Sequence, residues 1–213
     1  MIRTDPRDEL AAVGRSVVAA RLVVGSGGNL SARVPGTDEC WITGTGTWLD
    51  RLDRSSFARV RVGDGVPLDA VRPSSELALH LGAYRRRPDV AAVVHLHPQA
   101  VLLLDALGVP VRLVTTDHAY YLRRVVTTPF RLPGSVQLAE VAADASVDAD
   151  VVVLAYHGCS VLADSVELAH KRALYLEEAA QLTYRALALG RLAYLPDCPA
   201  EFVTRLDAPG NVV

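Results

Sequence analysis

The stretch RPSSELALHLGAYRRRPDVAAVVHLHPQAV, residues 72–101, contains three elements of regular structure in direct succession. A serine that is predicted to cap the helix precedes leucines that are spaced for one helix face, and three arginines follow them, so the pattern predicts a helix over 75–86. The apolar run at 90–95 predicts a strand, and Pro98 begins a second helix that reaches residue 107. This alternation of helix and strand favours an α/β fold.

The remainder of the chain continues the same mixture. Apolar residues at 10, 13, 17 and 24 predict an opening helix with one buried stripe, which ends at the glycine-rich loop 25–28. Extended runs are predicted at 40–43, 58–62, 109–114 and 151–155, and helices at 137–145 and 165–189. We therefore predict a single α/β (αβα) domain over residues 1–190, with a central sheet covered by helices, and a C-terminal tail over 191–213.

The composition excludes several classes of partner. Half of the 213 residues are apolar and the formal net charge is −2, which gives no electrostatic reason to expect nucleic acid or an acidic membrane surface. Five of the first ten residues are charged, and no apolar run is long enough to span a bilayer. The three cysteines have no paired spacing. We expect a soluble cytoplasmic protein whose ligand is a small molecule.

Three histidines and one glutamate predict a metal site. His95 and His97 follow the predicted strand two residues apart, and the period of a strand puts both imidazoles on one face, where they can bind one ion. His157 follows another apolar strand and can supply a third ligand. Glu76, at the start of its helix, is placed as a displaceable fourth ligand that also acts as a base. A lone His-x-His pair is weakly specific, but the four residues together favour a divalent ion, zinc first.

Three loops have the residues that bind phosphate through backbone amides, hydroxyl groups and side-chain amides. They are Gly28-Asn29, Thr45-Gly46 and Ser74-Ser75. The two serines are the strongest members, because an anion at a helix N-terminus gains free amide donors. Ordinary capping and turn chemistry explains the same residues, so both interpretations stay open here. The glycine-rich loop follows a helix and lacks the dinucleotide spacing, which disfavours nucleotide binding.

Four segments, in this order, resemble the class II aldolase/adducin family, and the L-fuculose-phosphate aldolases within it. They are GSGGNLSAR (25–33), WITGTGTWLDRL (41–52), the opening stretch (72–101) and YHGCSVLADSVELAHKRALYLEEAAQLTY (156–184). The resemblance implies a mostly antiparallel central sheet flanked by helices, and a homotetramer with active sites between subunits. It also implies one divalent ion per subunit, zinc or else manganese or cobalt, held by His95, His97 and His157. The three loops named above are then the phosphate site, and Glu76 is the catalytic acid–base group.

The implied reaction is cleavage of a ketose 1-phosphate to dihydroxyacetone phosphate and an aldehyde through a metal-bound enediolate. In the synthesis direction Glu76 takes the carbon-bound proton of dihydroxyacetone phosphate, and in the cleavage direction the same enediolate is released from the sugar phosphate. In fuculose-phosphate aldolases a tyrosine of a neighbouring subunit is the acid for the aldehyde oxygen, and Val114 stands at that position here. We assign this role to Tyr120, with Asp117 and His118 as competitors.

Related functions of the same family remain open. Sugar-phosphate 4-epimerases carry aspartate where Glu76 stands, so this residue favours an aldolase. A metal-dependent decarboxylase would use a similar site, and the altered acid leaves that alternative in place. A non-catalytic scaffold of the adducin type predicts lost metal ligands, whereas all of them are present. His80, His118 and His170 are predicted to be ordinary structural residues.

Overall fold

The structure is a computed structural model, and it describes residues 5–206. Seven strands form one sheet. They are Asn29–Arg33 (β1), Glu39–Thr43 (β2), Phe57–Arg61 (β3), Ala92–Leu96 (β4), Val125–Thr128 (β5), Val151–Leu154 (β6) and Gly158–Ala163 (β7). Their order across the sheet is β3-β2-β1-β4-β7-β6-β5. Neighbouring strands are antiparallel except for the parallel pair β5–β6, which confirms the mostly antiparallel sheet.

Helices cover both faces of this sheet. They are Pro6–Ala19 (α1), Leu77–Arg86 (α2), Gln99–Ala106 (α3), Thr116–Leu122 (α4), Val136–Ala145 (α5), Val166–Ala188 (α6) and Ala200–Leu206 (α7). Several begin at a side-chain cap: Asp5 accepts from the Arg7 amide ahead of α1, and Ser135 from the Leu138 amide ahead of α5. Such caps satisfy amide groups that the first helical turn leaves without partners. The α/β architecture predicted from the sequence is confirmed.

The strand β4 shows how the two faces are divided. Val94 and Leu96 pack into the larger apolar cluster with α1, α3 and α6. Val93 points to the other face, where it packs with Leu81 and Tyr84 of α2. Successive side chains of a strand alternate between faces, so His95 lies on the α2 side. The first predicted metal ligand is thereby buried beneath the helix that follows Glu76.

Two element boundaries differ from the sequence prediction. α1 ends at Ala19, and Val24 is 78% exposed, so its place in a buried helical stripe was wrong. The chain leaves the helix at Arg21, whose φ is 60°. α2 begins at Leu77 and has no side-chain cap, so the predicted serine cap was also wrong. The Ser74 hydroxyl instead accepts a hydrogen bond from the Glu76 amide at 3.2 Å.

The strand predicted at 109–114 is irregular chain, whereas β1, β5 and β7 were not predicted. The amide of Cys198 donates to the Leu113 carbonyl at 2.7 Å, and Arg112 pairs with Asp197 at 2.7 Å. Cys198 and Leu206 are buried against Ala119 of α4. The predicted tail is therefore packed on the body as far as residue 206, and the division at residue 190 stays a prediction. None of the helices within residues 5–206 is both long and apolar enough to cross a bilayer.

Candidate metal and sugar-phosphate site

Three histidine rings converge at one end of the sheet. His95 lies in β4, His97 follows that strand, and His157 lies in the turn between β6 and β7. Their ring centroids are 4.9 to 5.3 Å apart. One nitrogen of each ring lies within 4.8 Å of the nitrogens of the other two. Neighbouring strands have thus brought together residues that are up to 62 positions apart in the sequence.

The hydrogen bonds around these rings fit a bound cation. Nδ1 of His95 lies 3.0 Å from the Cys159 carbonyl oxygen, which can only accept, so Nδ1 carries the proton and Nε2 presents a lone pair. Nε2 of His97 lies 3.1 Å from this Nε2. Two nitrogen lone pairs that face each other at this distance repel unless a proton or a metal ion lies between them. A carbonyl that orients a histidine in this way is a common feature of metal centres.

Glu76 completes the group. Its Oε2 lies 2.9 Å from His95 Nε2, and its Oε1 lies 3.3 Å from His157 Nε2. Burial raises the pKa of this carboxyl group, but positive charge on the side of the carboxylate that faces His95 and His157, together with the hydrogen bond from Asn29, outweighs burial and lowers the pKa overall. Glu76 is therefore ionised at neutral pH. Three imidazoles and a carboxylate form a donor set of the type that holds zinc in catalytic sites.

The histidines also have the protonation state that a metal requires. Burial, reinforced by the charges of His95 and His157, lowers the pKa of His97 to about 4. Burial lowers the pKa of His157 as well. Both rings are consequently neutral at pH 7, and only a neutral imidazole can bind a metal.

A cavity of about 290 Å³ opens onto this group. Its lining consists of Ser26, Gly27, Gly28, Asn29, Thr45, Gly46, Ser74, Ser75, Glu76, His97, Pro133, Gly134 and His157. All six residues predicted to bind phosphate are present. Lysine and arginine are absent from this lining, so a phosphate here would be held by amides and hydroxyl groups. A larger hollow of about 800 Å³ beside Arg112 and Asp197 is lined by neither Glu76 nor any of the three histidines.

The model of the family "Class II Aldolase and Adducin N-terminal domain" matches residues 8–184. The chain belongs to this family. A 5-deoxy-D-ribulose 1-phosphate aldolase of Bacillus thuringiensis is 29% identical over 92% of this chain and 92% of its own length. A 3-oxo-tetronate 4-phosphate decarboxylase of Escherichia coli is 31% identical over 89% of this chain and 94% of its own length. A solved L-fuculose 1-phosphate aldolase superposes with a TM-score of 0.86 at 25% identity, covering 97% and 96% of the two chains.

The family membership confirms the resemblance inferred from the sequence, and it extends over the segments that carry the site. The relatives differ in reaction, since aldolases and a decarboxylase are among them. Membership therefore supports an enzyme of the class II aldolase type, a family whose members catalyse more than one reaction.

Tyr120 lies away from the cavity of its own chain. It is a half-buried residue of α4, packed beside Phe202 against the cluster of Ala119, Cys198 and Leu206. It is not among the residues that line the Glu76 cavity. The assignment of Tyr120 as the acid therefore requires a second subunit and stays a prediction.

A connected set of polar residues lies behind Glu76 and was not predicted from the sequence. Asn29 Nδ2 donates to Glu76 Oε2 at 3.0 Å, and Asn29 Oδ1 faces His80 Nε2. The other ring nitrogen of His80 bonds Ser31 Oγ at 2.6 Å, and Ser31 bonds the Tyr84 hydroxyl at 2.7 Å. Two spacings could have revealed this set. Glu76, His80 and Tyr84 are four residues apart, as on one helix face, and Asn29 and Ser31 are two apart, as on one strand face.

Proposed function

We propose that this protein is a metal-dependent aldolase that cleaves a ketose 1-phosphate to dihydroxyacetone phosphate and an aldehyde. One observation carries the proposal: a single cavity is lined by the Glu76 carboxylate, by imidazoles of the histidine triad and by three loops of phosphate-binding type. A small substrate that bears both a phosphate and a metal-chelating end fits this combination.

We assign one divalent ion to His95, His97 and His157, zinc first, with manganese or cobalt as alternatives. Glu76 is the displaceable fourth ligand. When bound, the ion polarises a substrate carbonyl and so acidifies the neighbouring carbon–hydrogen bond. Cytoplasmic location and a homotetramer with sites between subunits stay predictions.

The assigned base is Glu76. Its carboxylate is ionised, and Oε1 has no hydrogen-bond partner among the described residues, although it is buried at the cavity. In the synthesis direction this oxygen can therefore accept the carbon-bound proton of dihydroxyacetone phosphate, which produces an enediolate. In the cleavage direction the carbon–carbon bond of the ketose phosphate breaks to give the aldehyde and the enediolate, and the same group returns the proton to carbon. Asn29 holds the other oxygen, which limits rotation of the carboxylate.

We assign the phosphate to Gly28-Asn29, Thr45-Gly46 and Ser74-Ser75. The Ser74 hydroxyl oxygen accepts from the Glu76 amide, which leaves the Ser74 proton free to donate to a phosphate, whereas both polar ends of the Asn29 side chain have partners. Ser75 and Thr45 are exposed to the cavity and are two further hydroxyl donors. Hydrogen bonds to a charged group are about twice as strong as neutral ones, so a few such donors suffice for recognition.

Tyr120 is the proposed acid for the aldehyde oxygen, supplied by a neighbouring subunit. Replacing it with phenylalanine should slow cleavage about 100-fold but leave solvent exchange of the carbon-bound proton of dihydroxyacetone phosphate unchanged, since exchange needs only the base. Tyr121→Phe is the matched control, because this ring stacks on Tyr175 at 4.5 Å. If Tyr120→Phe cleaves as fast as the control, the assignment of the acid is wrong.

The test of the main proposal is a screen of ketose 1-phosphates for metal-dependent release of dihydroxyacetone phosphate. We expect release from at least one substrate, its loss after chelation, and its return with zinc. A panel without release, tested with metal-loaded protein, would refute the aldolase.

A decarboxylase is the second candidate. It is favoured by the Escherichia coli relative, which is 31% identical over most of both chains, and by the valine at position 114. Release of carbon dioxide from a phosphorylated 3-oxo acid, without release of dihydroxyacetone phosphate from any ketose, would establish it. An epimerase would instead return the substrate's stereoisomer, and a scaffold would purify without metal.

A further inference from the structure

Five buried side chains form one continuous line of hydrogen bonds that ends at Glu76. From the far end they are Tyr84, Ser31, His80, Asn29 and Glu76. None of them is more than 7% exposed. Such a line, enclosed between β1 and α2, is shielded from water, so each member depends on its neighbours for hydrogen bonds.

The chemistry of the groups determines the direction of every bond. An ionised carboxylate can only accept, so Asn29 must present its NH₂ group to Glu76 and its oxygen to His80. That oxygen also only accepts, so His80 must carry its proton on Nε2. Nδ1 of His80 is then an acceptor and receives the Ser31 proton. Because Ser31 has one proton, its oxygen must receive the bond from Tyr84.

Burial keeps His80 and Tyr84 in the protonation states that these bond directions require. Burial lowers the pKa of His80 to about 3, so the ring is neutral at pH 7. Burial raises the pKa of the Tyr84 hydroxyl, which therefore keeps its proton. All four bonds consequently donate toward Glu76.

We propose that His80, supported by Ser31 and Tyr84, is a positioning residue that holds the Asn29 amide in the one orientation that can donate to Glu76. If the amide turned over, its oxygen would face the carboxylate, and the two oxygen acceptors would repel each other. With the orientation fixed, Oε2 of Glu76 stays engaged and Oε1 is left for the metal or the substrate proton. This inference rests on the proposed function only in giving Glu76 its role as base.

The first test needs no catalysis. Histidine-selective nitrogen NMR of the zinc-loaded, substrate-free protein reports which nitrogen of His80 carries the proton, with the signal assigned by its loss in His80→Gln. We expect a single neutral tautomer with the proton on Nε2. Ser31→Ala should convert it to a mixture, because Nδ1 loses its donor. A wild-type ring with the proton on Nδ1, or with a mixture of tautomers, would overturn the inference.

The second test separates positioning from packing. His80→Leu should lower kcat for exchange of the carbon-bound proton of dihydroxyacetone phosphate about 10- to 100-fold, with KM within about twofold, as is typical when a group that orients a ligand is lost. His80→Gln should recover most of this loss, because its amide can donate to Asn29 and accept from Ser31. Leu79→Val, a buried neighbour outside the line, should be within about twofold of wild type.

The outcomes are distinct from those of the proposed function. If His80→Leu loses no more activity than Leu79→Val, or if His80→Gln is no better than His80→Leu, His80 does not position the base. If the wild type exchanges no proton with any substrate, the proposed function fails, and the tautomer measurement alone decides whether the line is oriented.

Discussion

Asn29 of β1 and His95 of β4 are direct partners in the antiparallel pairing of these strands. The pairing brings the glycine-rich loop against the strand that carries the first metal-type ligand. At Gly28, φ is +76°, and a Cβ atom would lie 2.6 Å from the His95 carbonyl oxygen. Only glycine avoids both the unfavourable conformation and this contact.

Gly28→Ala is therefore expected to destabilise the protein and displace β4. Gly36→Ala is a matched control, because Gly36 has a similar φ of +80° but nothing within 4 Å of its Cβ position. We expect Gly28→Ala to lower the free energy of unfolding by about 1–3 kcal/mol more than Gly36→Ala, since forcing atoms into a packed site adds to the backbone strain. Denaturant unfolding measures both. Equal losses would mean that the close approach to His95 is unimportant.

Asp5 should make the stability of α1 dependent on pH. Hydrogen bonds from Arg7 lower the pKa of Asp5 from 3.8 to about 2, and they outweigh burial. A carboxyl group whose pKa is lowered on folding stabilises the protein above its unfolded pKa, and this stabilisation disappears as pH falls through about 2. Asp5→Ala should lower the free energy of unfolding by about 1 kcal/mol at neutral pH through loss of the cap.

The difference between wild type and Asp5→Ala should stay constant from neutral pH to about 5 and then shrink as pH falls through 3.8 towards 2. Asp8→Ala is the control, because Asp8 is exposed and pairs with the exposed Arg54, and it should cost less than Asp5→Ala. A difference that is independent of pH would show that the charge of Asp5 contributes nothing.

Local periodicity was sufficient to predict part of the site. The spacing of two between His95 and His97 places both rings on one strand face. In the structure the centroids of the two rings are 5.0 Å apart. His157 was identified because it follows a β-branched run that forms β6. These inferences need only the repeat of a strand and the sequence beside it.

The missed features depend on information that local patterns lack. α1 ends and β7 begins near Arg21 and Tyr156, whose φ values are 60° and 58°, so the turns lack the glycine that usually marks this conformation. The line behind Glu76 joins residues 47 to 53 positions apart, and it exists only because β1 packs beneath α2. A single helical histidine such as His80 gives no sign of such a contact.

Loss of one histidine should abolish metal-dependent stability. The chelated wild type is expected to unfold at a lower temperature, and zinc at about 100 times its dissociation constant should restore about 2.7 kcal/mol. His157→Ala should show no such zinc-dependent shift. His170→Ala should retain it, because His170 bonds Ser16 at 2.9 Å, away from the triad. An unchanged zinc response in His157→Ala would remove this residue from the metal site.

Glu76→Gln should separate metal binding from proton transfer. The three histidines remain, so the variant is expected to keep its metal, as measured by elemental analysis of the purified protein. An amide cannot take up a proton at neutral pH, so exchange of the carbon-bound proton of dihydroxyacetone phosphate should fall at least about 100-fold. Glu140→Gln, an exposed glutamate of α5, is the control for loss of one charge and should exchange at the wild-type rate. Exchange at the wild-type rate in metal-loaded Glu76→Gln would show that another group is the base, and the line from Tyr84 to Glu76 would then orient a metal ligand only.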